Sequence, residues 1–166
     1  MAQVSKQHYG VFVAGKRTEF VDLPVSFERP LRLFAYIIGH SQVLFRGEQD
    51  LDAGLPTTVE LLFKDVGALS VRDHYRRLTI RLASQTEEEQ LRVADPRRWH
   101  DWRAFVLETE SGSNGHVVAG AMYWAESPVP MGYSSFLIPD HDLPQFRPSR
   151  SLPSEPATVY APFPRH

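Results

Sequence analysis

The chain has 166 residues, no cysteine, 18 Lys and Arg against 20 Asp and Glu, and 42% hydrophobic residues. A chain of this size can hide about 70% of its unfolded surface, enough for one core, and a net charge of −2 beside that apolar content excludes disorder over most of its length. Without thiols there is no disulfide framework, no Cys-ligated zinc or iron–sulfur centre and no thiol nucleophile.

The first apolar run, 11–15, is too short for the core of a secretory leader, and the longest, 33–39, falls far short of the ~20 residues that cross a bilayer. The expectation is therefore a cytoplasmic protein that neither enters a membrane nor, given its balanced charge, binds nucleic acid. The excess of Arg over Lys, 15 to 3, is read as compositional bias and not as an arginine surface.

Period-two alternation runs through the first three quarters of the sequence. Residues 11–13 and 18–23 read as a hairpin turning near Gly15. Leu31, Leu33, Ala35 and Ile37 alternate with Arg32, Phe34, Tyr36 and Ile38, the pattern of a central strand. Gly39 and His40 then suit a type II′ turn into 42–46, with His40 at its tip. Val59, Leu61 and Phe63, then Leu69 and Val71, then Leu78, Ile80 and Leu82 mark three further half-buried strands. Residues 86–93 form the one helical stretch, with Thr86 as N-cap, Glu89 completing a capping box, and Asp95-Pro96 as the stop. Such a short helix needs support, which Leu91 and Val93 would provide by docking on a sheet.

Residues 102–109 and 116–124 carry apolar groups on both faces and so belong inside a sheet or between layers. Between them Asn114-Gly115 reads as the hairpin turn, and Gly120 as a bulge or a close backbone approach. From residue 128 the composition changes, with nine of the thirteen prolines in the last 39 residues. Phe136, Phe146, Val159, Tyr160 and Phe163 are too many apolar groups for a bare linker. The segment reads as an extended arm docked on the body or on a second subunit.

Motifs of the large enzyme superfamilies are missing: there is no Gly-x-Gly, phosphate loop, His-Glu-x-x-His or nucleophile elbow. Asp140-His141-Asp142 has metal-ligand residue types, yet in an extended chain the two carboxylates project to the side opposite the imidazole, so a polar turn is the simpler reading. Asp50 and Asp52 read as a solvated loop. Trp99-His100-Asp101-Trp102-Arg103 is the densest candidate for a ligand groove, offering a ring, an imidazole and a guanidinium together. Its alternative is a core anchor at Trp102, with Trp99 capping a strand edge. His74, between Arg72 and Arg76-Arg77, is the remaining ligand candidate, and His40 and His116 read as exposed residues beside turns.

The expected fold is all-β: a single antiparallel β-sandwich or partly open barrel of about eight or nine strands, with one short helix. Residues 1–127 form the β-rich domain and 128–166 the extended Pro-rich C-terminal arm. The expected function is a non-enzymatic binding or protein-interaction module, engaging a protein partner or itself, as a homodimer, with no cofactor and no metal. A small β-fold enzyme whose His, Asp and Arg residues meet only in space, and a small-ligand carrier, are the alternatives.

Overall fold

The structure, a computed structural model, describes residues 23–96, 99 and 101–138. Eight antiparallel strands form one sheet: β1 (Val25–Phe27), β2 (Leu31–Ile37), β3 (Gln42–Gly47), β4 (Thr58–Ser70), β5 (His74–Tyr75), β6 (Leu78–Leu82), β7 (Arg103–Thr109) and β8 (Gly112–Ser127). The helix α1 (Gln85–Ala94) joins β6 to β7. The sheet order is β1-β6-β7-β8-β4-β3-β2-β5, which makes the fold all-β and leaves the sheet open. The expected hairpin at 11–23 lies outside the described residues, apart from Leu23.

The order and the connections together dictate the shape. In a flat sheet the six steps between β5 and β6 would span about 29 Å at ~4.8 Å per strand. Only Arg76 and Arg77 join these strands, and three Cα steps reach at most about 11 Å. The six steps between β1 and β2 are likewise bridged by three residues, Glu28, Arg29 and Pro30. The sheet must therefore curl until its two edges lie near one another, as a partly open barrel. Its concave side holds Phe27, Leu31, Phe45, Leu61, Phe63, Tyr75, Ile80, Phe105, Leu107 and Val117, all buried in one cluster. Edge-to-face ring contacts span it, Phe27 to Trp124 at 5.5 Å and Phe63 to Phe105 at 5.4 Å, a geometry that aromatic quadrupoles favour.

Several local expectations are corrected. β2 is not central: beyond β3 it has only the two-residue β5 as neighbour, and a bulge between Leu33 and Ala35 breaks its alternation. The turn after it is a 3-10 turn, Ile38–His40, and the left-handed residue is Ser41 (φ 48°), not Gly39. The expected strands at 58–63 and 69–71 merge into the single 13-residue β4, bent where Asp65 takes φ +53° and the register slips between Val66 and Ala68. Asp tolerates that conformation better than most residues, and Trp102 Nε1 donates to Asp65 Oδ2 at 2.9 Å, fixing its carboxylate. Asn114-Gly115 is not the turn. Thr109 pairs with Gly112, so Glu110 and Ser111 form the loop, Gly112 supplies the positive φ of 103°, and Asn114 is the extra residue of a bulge. Gly115 answers a close approach instead, since a Cβ there would lie 2.4 Å from Ser70 O. At Gly120 the close neighbour is the Asp65 side chain, not backbone.

The helix begins two residues earlier than Thr86 would allow. Ser84 is its N-cap and Glu87 the third residue of a complete capping box, because Glu87 is also held by Arg81 through two hydrogen bonds of 2.7 and 2.8 Å. Leu91 packs toward Trp99, Ala104 and Val118 on the convex face, whereas Val93 is 83% exposed and does not dock. Arg81 and Ser84 together hold the Glu87 carboxyl down to about 2, below the ordinary ~4.3. A carboxylate with a depressed folded pKa stabilises the fold above its unfolded pKa and loses that contribution as pH falls through the folded one. Glu87→Gln keeps a capping side chain, so the stability gap between wild type and Glu87→Gln should be widest near neutral pH and close between about pH 4.5 and 2, as read by urea unfolding at several pH values.

Candidate functional site

Residues alternate across the barrel wall. Because Val43, Phe45, Val59, Leu61 and Phe63 face the core, Leu44, Arg46, Thr58, Glu60 and Leu62 point outward from β3 and β4. Outward residues of a curled sheet ordinarily meet water, yet all five are 2% exposed or less. Arg46 and Glu60 are directly opposite one another in the β3/β4 register, and Arg46 Nη1 lies 3.5 Å from Glu60 Oε1, with both side chains fully buried.

The described part of the C-terminal region, 128–138, crosses this pair. Arg46 Nη1 donates to Tyr133 O at 2.6 Å. Glu60 Oε2 accepts from Ser135 Oγ at 2.8 Å and from Leu137 N–H at 2.9 Å, and Ser135 Oγ accepts from Ile138 N–H. Nearer the root of the segment, Thr58 Oγ1 donates to Val129 O at 2.7 Å. Around Arg46 lie Phe34, whose ring faces the guanidinium at 4.9 Å, and Glu48, 3.8 Å from Nε. That last distance is an ion pair and not a hydrogen bond. Among the described residues Arg46 Nε and Nη2 and Glu60 Oε1 have no hydrogen-bond partner.

This arrangement clamps residues 128–138 onto the outer face of β3 and β4. Residues 128–138 add no strand to the sheet; they are held by side chains that reach out of β3 and β4. Next to the clamp, Arg29 donates to Thr57 Oγ1 and to Glu48 O, and Thr57 in turn donates to Glu126. Burial works against the charge of Arg29, and Glu126 supports it. The polar groups of this face thus hold one another and the crossing backbone.

The sequence candidates fall elsewhere. Trp99 is buried at 6% exposure against Ala104 and Val118, with the Arg92 guanidinium over its ring at 4.6 Å. Trp102 packs against the same cluster, and its ring covers Gly67 so closely that a Cβ there would meet ring carbons at 2.2 Å. The structure thus brings the two tryptophans together on the convex face. The roles are nearly the reverse of the anchoring alternative, since Trp99 is the more buried of the two. Arg103 opens β7 and is exposed, and His74 is an exposed residue on β5 at the far end of the sheet order. His100 and the Asp140-His141-Asp142 string lie outside the described residues. His116 is half-buried, not exposed, and burial lowers its pKa.

Asp50 lies in an exposed turn, where its Oδ1 accepts from Ala53 N–H. Among the described residues no group of three His, Asp or Glu side chains could hold a metal ion, and no helix is long and apolar enough to cross a membrane.

Sequence reasoning missed Arg46 and Glu60 because each sits at the polar position of an alternating strand, where solvent is the default. What crosses them is a segment 75 to 87 residues farther along, and only that long-range packing distinguishes them from ordinary surface charges. No protein-family model, curated protein or solved structure matches the chain.

Proposed function

We propose that this protein is a non-enzymatic protein-interaction module. The observation that carries the reading is the way 128–138 is displayed: its backbone is fixed by buried charged groups, while Met131 and Tyr133 on it are each 63% exposed. Large apolar side chains held out to water on an anchored backbone are the composition of a contact surface, in which Tyr and Met are enriched. The inward face of the barrel is occupied by interlocking side chains, which favours a surface role over a carrier role.

The occupant that this reading names first is a second copy of the chain. The test is sedimentation velocity of the full chain over a concentration series, for the wild type and for Met131→Ser with Tyr133→Ser. A mass that rises with concentration in the wild type and stays monomeric in the double variant supports the reading. A wild type that is monomeric throughout, or a double variant that associates equally well, removes the support this surface gives.

A further inference from the structure

We infer that residues 128–138 form a releasable strap, which lifts from the outer face of β3 and β4 while the barrel stays folded. Three observations lead there. First, the strap shares no ladder with any strand; its described anchors are the Arg46 bond to Tyr133 O, the Thr58 bond to Val129 O, a long contact of 3.4 Å from Gly132 N–H to Glu48, and the two bonds that Glu60 accepts. Second, Ser135 is the one fully buried residue of the strap, and its apolar residues Val129, Phe136, Leu137 and Ile138 are only half-buried and belong to neither core cluster, so lifting the strap removes no side chain from the core.

Third, the closed state leaves hydrogen-bonding capacity of the buried ion pair unused. Arg46 Nε and Nη2 and Glu60 Oε1 are buried and, among the described residues, are paired by charge alone with no hydrogen-bond partner, and buried polar groups in that condition are costly relative to the same groups in water. Admitting water beside the ion pair therefore returns free energy that offsets part of the cost of the strap bonds broken. Nothing comparable favours opening of β4, which is laddered to β3 along one edge and to β8 along the other. Segments with few buried apolar contacts and mostly side-chain anchors open at a small fraction of the global unfolding free energy. The fold thereby contains a two-position element on the face that displays Met131 and Tyr133.

Amide hydrogen exchange of the full chain, followed residue by residue by NMR, tests this without any partner and so independently of the interaction reading. The reporting amides are Leu137 and Ile138, whose N–H groups bond to Glu60 Oε2 and Ser135 Oγ, against those of Leu61 and Leu62 in β4. Exchange in the strap should be at least about a hundredfold faster than in β4 and nearly independent of low urea, the signature of local opening. Ser135→Ala should accelerate the strap by about tenfold or more, because the hydroxyl that bonds Glu60 Oε2 and accepts from Ile138 N–H is lost, and leave β4 unchanged. Equal rates with equal urea dependence in strap and β4, or a Ser135→Ala effect that spreads equally to both, would show one cooperative unit and overturn the inference.

Discussion

Arg46→Met should destabilise the protein by about 3–5 kcal/mol, because it leaves the fully buried Glu60 carboxylate without its counter-charge. In a domain of this size each kcal/mol moves the midpoint by about 2–4 °C, so the melting temperature should fall by about 10 °C. Glu60→Leu should be comparably harmful, stranding the Arg46 guanidinium and removing the acceptor of Ser135 Oγ and Leu137 N–H. The double variant Arg46→Met with Glu60→Leu should recover most of what either single change loses. Both charges and their desolvation then disappear together, and apolar groups of similar volume take their place beside Leu44 and Leu62. Urea unfolding of the four proteins completes the cycle. If the two single effects simply add, the pair contributes no coupling and each side chain holds the clamp independently, through its own hydrogen bonds to 128–138.

That pair also marks the boundary of what the residue pattern could say. The alternation at Val59, Leu61 and Phe63 set the inward face of β4 correctly, since period-two burial is a local property of one strand. A half-buried strand leaves its other face to solvent by default, and nothing within ten residues of Glu60 announces that a later segment covers it. Central placement of β7 and β8 was legible from their two apolar faces, and both lie within the sheet, between β6 and β4. The central placement read for β2 failed for the complementary reason. Its hydrophobicity serves the concave side and the seam of a curled sheet, and a run of apolar residues does not say on which side a neighbouring strand will pair.

Turn chemistry was legible in kind but not in position. Asn114-Gly115 has the preferred composition of a two-residue hairpin loop, and Glu110-Ser111 forms the loop instead because Gly112 can take φ +103° directly after it while Gly115 is required by Ser70 O and the Tyr75 hydroxyl. Packing between β8 and the end of β4 overrode the local preference. The helix start shows the same competition. Thr86 with Glu89 and Ser84 with Glu87 are equally good capping boxes as strings, and Arg81, on the preceding strand, decides between them by binding Glu87. The tryptophan string was legible as a cluster of aromatic surface, and its use in packing α1 against β7 and β8 became visible only with the Arg92 contact.

Tyr75 is where curling of the sheet can be tested most directly. β5 is two residues long, yet Tyr75 pairs with Leu31 of β2 while the chain reaches β6, next to the opposite end of the sheet order, within three residues. The ring is 2% exposed, meets Phe45 edge to face at 6.0 Å, and its hydroxyl accepts the Arg72 N–H at 2.9 Å. Burial raises the phenol pKa, so the group stays neutral and its role is packing plus one hydrogen bond. Tyr75→Phe should cost about 1 kcal/mol, the worth of that bond, with the denaturant slope unchanged. Tyr75→Ala should cost about 3–5 kcal/mol, as for other large aromatic truncations in a core, because the void opens where the two sheet edges are tied together and β2 has no other described strand on that side to close it. A loss below about 1 kcal/mol for Tyr75→Ala would mean that the seam relaxes around the void, and that closure rests on the short 28–30 and 76–77 connections without needing the ring between them.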